Sequence, residues 1–172
     1  MKDFKSIDFR KLHENATQLI GYDWMLITAG NIRDFNTMTA AWGGFGYLWN
    51  LQVVHIFIRP QRYTYQFTEQ EKYFTLQFFE PSFRKVLNYC GKHSGRDVDK
   101  IAETGLRPFE TQKGNVYFEQ ARLQMECRKI YSDLIEPENF FDDSLLKHYP
   151  ENDFNRFYIG EISDCYIKRR AV

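Results

Sequence analysis

Short apolar runs recur along most of the chain, and they predict a fold built mainly from β-strands. Segment 121–128 is the clearest, because apolar and polar residues alternate there as they do along a half-buried strand. In segment 73–79, Phe74, Leu76 and Phe78 share one side, which predicts a strand with one strongly apolar face. Further strands are expected at 24–29, ended by Gly30, at 37–42, ended by Gly43 and Gly44, at 53–58, ended by Arg59 and Pro60, and at 157–167, with a turn at 31–36.

Helical patterns are fewer and lie between these strands. Ser82 is expected to cap a helix whose apolar residues recur at helical spacing until Gly91 ends it. A shorter helix is expected at 97–104, ended by Gly105. Short strands with few helices favour a closed antiparallel barrel with added helices over a doubly wound parallel sheet, whose strands and helices alternate regularly. No linker or repeat divides the sequence, so we expect one domain over residues 1–172.

The composition narrows the class of protein. The chain has 172 residues with 23 Lys and Arg and 23 Asp and Glu, so its formal net charge is zero, which argues against a nucleic-acid partner. Hydrophobic residues make up 43%, which favours a folded core over disorder, and no segment approaches the ~18 apolar residues of a membrane span. The N-terminus lacks the apolar stretch of a signal peptide, and three widely spaced cysteines favour neither a disulfide framework nor a zinc site. We therefore expect a soluble, cytoplasmic protein without a nucleic-acid or membrane partner or a metal site.

The loop that follows strand 53–58 is the first candidate for chemistry. Arg59 and Arg62 bring two guanidiniums close together, and Tyr63 and Thr64 add a phenol and a hydroxyl. The planar fork of arginine matches two oxygens of a phosphate, and Thr64 can add its hydroxyl and, as the cap of a helix, free backbone N–H groups. The alternative is a solvated loop whose arginines pair with carboxylates.

Segment 36–47 is the second candidate, because it combines small residues with glycines. Such residues let a ligand approach the backbone, whose amide groups can then meet the polar edge of a heteroaromatic ring, while Met38, Trp42 and Phe45 supply apolar cover. The alternative is a strand followed by a glycine-rich hairpin. The Gly-x-Gly pair in this segment is not a dinucleotide-binding fingerprint, since the third glycine and the following helix are missing.

Segment 90–100 is the third candidate. Its hydroxyl, glycines and cations precede a predicted helix N-terminus, which suits an anion. Cys90 and His93 together suggest a nucleophile with its base or a pair of metal ligands. Further ligands or an orienting partner are missing, however, so Cys90 is expected to be a buried residue of its helix. His55 lies in an apolar strand and is expected to be a core imidazole.

Together these segments resemble the flavin reductase-like family, whose members have an FMN-binding split barrel and assemble as homodimers. The resemblance extends from about Trp24 to Ile162. Its segments are 24–30 (WMLITAG), 36–43 (NTMTAAWG), 59–64 (RPQRYT), 74–76 (FTL), 94–100 (SGRDVDK) and 158–162 (YIGEI). No single segment is diagnostic, but their order is fairly specific for the family.

The resemblance implies FMN as the cofactor and predicts which residues hold it. The strand at 37–42 is expected to lie along the flavin, with backbone groups at the polar edge of the ring. Arg59, Arg62 and Thr64 are expected to hold the phosphate. The full set of expected cofactor-binding residues is Thr37, Met38, Thr39, Ala40, Ala41, Trp42, Arg59, Arg62, Tyr63, Thr64, Ser94, Gly95 and Lys100.

The resemblance also implies the activity. In the family FMN takes hydride from NAD(P)H and passes electrons onward, so we expect an NAD(P)H-dependent flavin reductase-like oxidoreductase that is a homodimer and needs no catalytic acid or base. Two residues depart from the family pattern: Ala41 replaces a common serine near the flavin, and Asn155 replaces a common histidine of the nicotinamide pocket. One alternative is a flavoredoxin-like electron carrier without efficient NAD(P)H turnover. Another is a non-enzymatic barrel whose aromatic residues, 17% of the chain, serve only assembly.

Overall fold

The computed structural model describes residues 3–169, and its secondary structure is mainly β. The strands are β1 (Phe4–Ser6), β2 (Met25–Asn31), β3 (Asp34–Ala40), β4 (Gly43–Leu48), β5 (Leu51–Ile58), β6 (Tyr73–Phe78), β7 (Pro108–Glu110), β8 (Val116–Phe118), β9 (Leu123–Leu134) and β10 (Arg156–Lys168). The helices are α1 (Tyr63–Gln70), α2 (Arg84–Lys92) and α3 (Lys100–Thr104), with 3₁₀ turns at Phe9–Lys11, Pro81–Phe83, Pro137–Asn139 and Asp143–His148 and a π-helix at Gln18–Tyr22. The single domain over 1–172 stays a prediction, and residues 1–2 and 170–172 of that range lie outside the described residues.

The main sheet is antiparallel, with strand order β3-β2-β6-β9-β10-β5-β4 and β1 paired with β10. Strands β7 and β8 form a separate hairpin. The sheet curls until its ends approach: the methyl carbon of Met25 in β2 lies 3.4 Å from the point where a Cβ on Gly43 of β4 would stand. The mainly β architecture with added helices is therefore confirmed. Among the described residues, no helix has the length and apolar character that crossing a membrane requires.

Two apolar clusters lie on the two sides of β6. Phe74, Leu76 and Phe78 point into the curled sheet and are buried, as their spacing predicts, together with alternate residues of β5. The other side of β6 is also buried, because the β7–β8 hairpin packs on it, and a second cluster there includes residues of α2, which packs on β2 and β3. There Thr75 is satisfied through a hydrogen bond from its Oγ1 to the carbonyl of Val116 at 2.6 Å. The helices therefore pack outside the curled sheet, where they also build the walls of a cavity.

The glycine-rich segment after β3 is itself a strand, which the sequence analysis missed. Residues 43–48 pair with β5 as β4, although glycines weaken strand propensity. The glycines in this strand are explained by His55, because its imidazole ring lies over the strand. A Cβ on Gly46 would stand 3.4 Å from the Cε1 atom of that ring. The glycines thus make room for an imidazole. His55 is only half-buried, so the prediction of a core imidazole is wrong.

Four predicted element boundaries also differ from the structure. Gly30 does not end its strand but pairs with Phe35 within the β2–β3 hairpin, where its φ of 111° suits a residue without a side chain. The turn expected at 31–36 is correspondingly shorter, because β3 begins at Asp34. Ser82 does not cap α2, since the chain first forms a 3₁₀ turn, and Gly91 lies inside the helix, where an alanine would meet Thr39.

Replacing Gly160 by alanine is expected to destabilise the fold by about 1–3 kcal/mol, because overpacking a close-packed core forces its side chains out of their preferred rotamers. A Cβ at this position of β10 would stand 2.6 Å from Cζ of Phe74 and 3.0 Å from Cβ of Cys127. The free energy of unfolding in urea measures the change. The matched control is Gly21→Ala, where a Cβ meets no atom of the described residues within 4 Å and the stability should stay the same or rise slightly. Equal urea midpoints of unfolding for Gly160→Ala and the wild type would show that the core around Phe74 and Cys127 has room for a Cβ.

Candidate functional site

A cavity of about 640 Å³ opens between the edge strand β3, the start of α1 and the residues that follow α2. Its volume falls in the range of ~300–1,000 Å³ that is usual for small-molecule sites. Its walls are formed by Asn36, Met38, Thr39, Ala40, Ala41, Trp42, Phe57, Arg59, Gln61, Arg62, Tyr63, Thr64, Lys92, His93, Ser94, Arg96, Asp97, Lys100 and Asn155.

All but two of the expected cofactor-binding residues lie in these walls. Thr37 and Gly95 line an adjoining recess of about 430 Å³, which shares Asn36, Arg96, Asp97 and Lys100 with the cavity. The fold therefore brings the three candidate segments of the sequence to one place. Which of these residues bind a ligand stays a prediction.

Strand β3 supplies one wall as an edge strand, which in the described residues pairs along its length with β2 alone. Its outer backbone groups are open to other partners, and the carbonyl of Thr37 accepts a hydrogen bond from Nζ of Lys100 at 2.7 Å. Because carbonyls alternate along a strand, that of Thr39 faces the same side. Ala41 and Trp42 continue the wall beyond the strand, and the Trp42 side chain is 44% exposed. This wall thus combines backbone acceptors with an aromatic surface.

Thr64 ties the start of α1 to β3. It is fully buried, and its Oγ1 accepts a hydrogen bond from Nδ2 of Asn36 at 2.7 Å. The N-cap of α1 is Arg62, so the idea that Thr64 caps the helix is wrong: this residue lies within the first turn, and its hydroxyl is engaged by β3. A Cβ on Gly95 would stand 2.0 Å from Oδ1 of the same asparagine, so only glycine lets the segment after α2 come this close.

The last turn of α2 holds two cations at the cavity. Nζ of Lys100 donates to the carbonyl of Cys90 at 3.0 Å, and Nη1 of Arg62 donates to the carbonyl of Gly91 at 2.8 Å. Carbonyls in the last turn of a helix lack helical partners and carry partial negative charge, which attracts cations. Within residues 3–169, neither side chain forms an ion pair with a carboxylate. Both positive charges therefore remain uncompensated by an acid.

Burial changes the proton affinity of both cations. Desolvation lowers the pKa of Lys100 to about 8; the neighbouring Cys90 opposes this shift and Arg62 adds to it. Desolvation also lowers the pKa of Arg62, and the positive charge of Arg59 lowers it further. An anion bound between the two groups would stabilise their charged forms and reverse these shifts.

Arg59 has partners of a different kind. Its Nη1 donates to Oδ2 of Asp153 at 2.6 Å, and its Nη2 donates to the carbonyl of His148 at 2.7 Å. Its guanidinium carbon also lies 5.4 Å from the ring centroid of Tyr149. Sequence analysis gives Arg59 and Arg62 the same role, whereas the structure gives one a carboxylate partner and the other a helix carbonyl.

Some wall residues escape the sequence analysis, and others lie in the segments that it quotes. Asn36, Gln61 and Arg96 belong to quoted segments, so contiguity along the chain could have found them. Phe57 alternates with two fully buried isoleucines of β5, a pattern that places its side chain on the opposite face. Asn155, which the sequence analysis names for the histidine that it replaces, is buried in the cavity wall, where its Nδ2 donates to the hydroxyl of Tyr149 at 3.0 Å.

Cys90 and His93 do not form a nucleophile and base. Cys90 is a buried residue of α2, as expected, and burial raises its pKa to about 11, which disfavours the thiolate. His93 is exposed and stacks on Tyr89 of its own helix, with ring centroids 4.0 Å apart. In the described range 3–169, no group of three or more His, Cys, Asp and Glu side chains is arranged to hold a metal ion.

Comparison with known proteins places this geometry in context. Residues 18–170 match the family described as flavin reductase like domain. No curated protein sequence matches the chain.

Solved structures share the fold at low sequence identity. An FMN-binding domain of a flavin reductases-like enzyme from Shewanella baltica has a TM-score of 0.70 and 19% identity, with 96% of this chain and 77% of that chain covered. Flavoredoxin of Desulfovibrio vulgaris has a TM-score of 0.66 and 22% identity over 95% of this chain and 76% of that chain. Nitrilotriacetate monooxygenase component B from Bacillus cereus has a TM-score of 0.66 and 14% identity over 95% and 81%. The expected split-barrel fold is thereby confirmed.

Proposed function

Since the chain belongs to the flavin reductase like domain family, we propose that it binds FMN and is an NAD(P)H-dependent oxidoreductase that reduces flavin or a small electron acceptor. The likeness to an FMN-binding domain and to a flavoredoxin supports this proposal. We place the activity in the cytoplasm, where the three free, buried cysteines stay reduced.

The observation that carries the proposal is the pair of cations at the last turn of α2. Arg62 and Lys100 lie in the cavity wall with carbonyls rather than carboxylates as partners. A phosphate monoester carries up to two negative charges and several acceptor oxygens, and charge-assisted hydrogen bonds to such groups are the strong ones. The donors therefore fit the phosphate of FMN, and we assign that phosphate to Arg62 and Lys100.

The remaining wall suits the ring system of the same ligand. Thr37, which binds Lys100, and Ala40 lie roughly 10 Å apart along β3, since a strand rises about 3.3 Å per residue. The wall beyond Ala40 continues to Trp42, whose side chain is available for apolar contact. We therefore place the ring toward Trp42, where backbone groups of Thr39 and Ala41 meet its polar edge, whereas those of Ala40 face β2.

FMN, when bound, supplies the redox chemistry, so the chain has to bind, orient and shield it rather than provide an acid or base. We propose that the nicotinamide of NAD(P)H approaches the Trp42 end of the cavity, where Phe57 and Asn155 also line the wall. The carboxamide of Asn155 offers a donor and an acceptor there, in the position of the histidine that is common in the family.

The purified chain tests this function directly. We expect an absorption spectrum with the flavin bands near those of free FMN, or their appearance on adding FMN, and FMN as the molecule released on denaturation. Steady-state oxidation of NADH or NADPH with added FMN then tests the reductase activity. Bound FMN without turnover of either nucleotide would instead identify an electron carrier, and no affinity for FMN would reject both.

We propose a homodimer that uses an exposed aromatic stripe as its interface. Tyr47 and Trp49, at the β4–β5 turn, are 72% and 58% exposed, and the Trp49 ring lies 6.2 Å from that of Tyr131 in β9. Aromatic residues are enriched in such interfaces. Sedimentation velocity should give the mass of two chains for the wild type and of one chain for Trp49→Asp. A wild type that sediments as one chain would refute this assembly.

Replacing Arg62 by alanine is expected to weaken FMN binding by roughly 10- to 100-fold, the usual range for one hydrogen bond to a charged group. Riboflavin, which has no phosphate, should lose less than about twofold in affinity. Flavin fluorescence titrations measure both ligands. The matched control is Arg33→Ala, which removes an exposed arginine from the β2–β3 turn and should leave both affinities unchanged. If Arg62→Ala weakened the binding of FMN and riboflavin equally, Arg62 would not be a ligand of the phosphate.

The affinity for FMN is also expected to fall as the pH rises through about 8, the pKa of Lys100. The phosphate binds the protonated lysine, so FMN raises the pKa of this group and is lost when the free protein loses the proton, by up to ~tenfold per pH unit. Titrations between pH 7 and pH 9 measure the slope, and riboflavin corrects for titration of the ring. Lys100→Met should make the pH profiles of the two ligands alike, while Arg62 still favours FMN over riboflavin. Identical pH profiles of FMN and riboflavin in the wild type would contradict the assignment.

A further inference from the structure

Residues 135–155 form the long loop of the antiparallel β9–β10 hairpin, and this loop, here called the crossover segment, lies at one end of the cavity. The ring of Trp42 in the cavity wall lies against it, with centroid distances of 5.9 Å to His148 and 6.4 Å to Tyr149. The end of the segment brings Asn155 into the same wall. The position of the crossover segment therefore decides how Trp42 and Asn155 face a ligand.

Arg59 is the cation that ties the crossover segment to the barrel. Its two terminal nitrogens donate to Asp153 and to the carbonyl of His148. Gln61 donates to the same carboxylate oxygen of Asp153, while the other oxygen, Oδ1, is buried and has no hydrogen-bond partner among residues 3–169. The guanidinium of Arg59 is thus held to the segment by one carboxylate oxygen of Asp153 and by the carbonyl of His148.

The partners of Arg59 distinguish it from the other two cations, although its charge lies near enough to lower the pKa of Arg62. Its guanidinium carbon lies 6.0 Å from the ring centroid of Trp42, at the end of the wall opposite to the Thr37 carbonyl that binds Lys100. Its charge is also met by Asp153, whereas Arg62 has no acid partner in the described part of the chain. A cation that is already paired attracts a further anion less strongly.

We propose that Arg59 and Asp153 are a positioning pair that holds the crossover segment against Trp42, and that Arg59 does not bind the ligand phosphate. The two arginines of the 59–64 loop then have separate tasks: Arg62 binds the phosphate, and Arg59 fixes the wall around the ring. The first half of this proposal concerns the free protein, while the second half rests on the proposed binding of FMN.

Hydrogen–deuterium exchange of the ligand-free chain tests the first half. Arg59→Ala and Asp153→Ala should each raise exchange in peptides from 135–155, and the double variant should raise it by less than the sum of the two single effects, because both changes break the same Arg59–Asp153 ion pair. Asp153→Asn keeps the shape of the side chain and replaces the alanine variant if that one does not fold. The control is Glu119→Gln, which breaks an equally short 2.6 Å ion pair with Arg107 outside the cavity. Unchanged exchange in both single variants would overturn the proposal.

Titration with FMN and riboflavin tests the second half. Arg59→Ala and Asp153→Ala should weaken both flavins by a similar factor, about 3- to 10-fold, because they disturb the wall around the shared ring. A loss of FMN affinity in Arg59→Ala that exceeds the loss for riboflavin by more than about fivefold, without the same effect in Asp153→Ala, would make Arg59 a phosphate ligand and overturn the proposal. If the wild type binds neither flavin, the proposed function fails and the assignment of Arg59 within it fails too, whereas the exchange result still decides the tie.

Discussion

The carbonyls in the last turn of α2 are the constraint on which the cavity depends. Helix ends leave acceptors without partners, and here Cys90 and Gly91 satisfy theirs with Lys100 and Arg62. A carboxylate in the same place would neutralise the cations, whereas a carbonyl orients them and leaves their charge available. Burial of this charge lowers the pKa of Lys100 to about 8, because no carboxylate among residues 3–169 pairs with its ammonium group. An anion that binds beside Lys100 would stabilise the charged form and raise this pKa again.

The fold creates this arrangement by leaving β3 at the edge of the sheet. An edge strand carries unpaired backbone groups that have to be covered, and α2 and Lys100 cover part of those of β3. Two glycines allow the close approach: a Cβ on Gly91 would stand 3.3 Å from that of Thr39, and one on Gly95 would collide with Asn36. The open part of the edge becomes a wall of the cavity. The edge strand β3 is therefore covered in part by α2 and Lys100, and its uncovered part offers backbone groups to a ligand.

Sequence predicts the parts of this structure that depend on local periodicity. Strand β6 follows from the alternation of its apolar residues, and the cavity walls follow from a few contiguous segments that stay intact in the fold. Strand β4 does not follow, because its glycines argue against a strand and their partner, His55, comes from another strand. The pair of Arg59 and Asp153 escapes as well, since 94 residues separate its members and neither segment carries a pattern that refers to the other.

The hydrogen-bond partners of Arg59 and Arg62 explain why these two arginines of one loop have different roles in the account. Their side chains are equivalent in sequence, but one reaches the crossover segment and the other reaches α2.

The most direct test of the whole account is the ratio of the affinities of the unmodified chain for FMN and riboflavin, measured by fluorescence titration at pH 7. Two cations that have no acid partner among residues 3–169 predict that FMN binds at least about 100-fold more tightly than riboflavin. Equal affinities for the two flavins would contradict the claim that this cavity holds a phosphate.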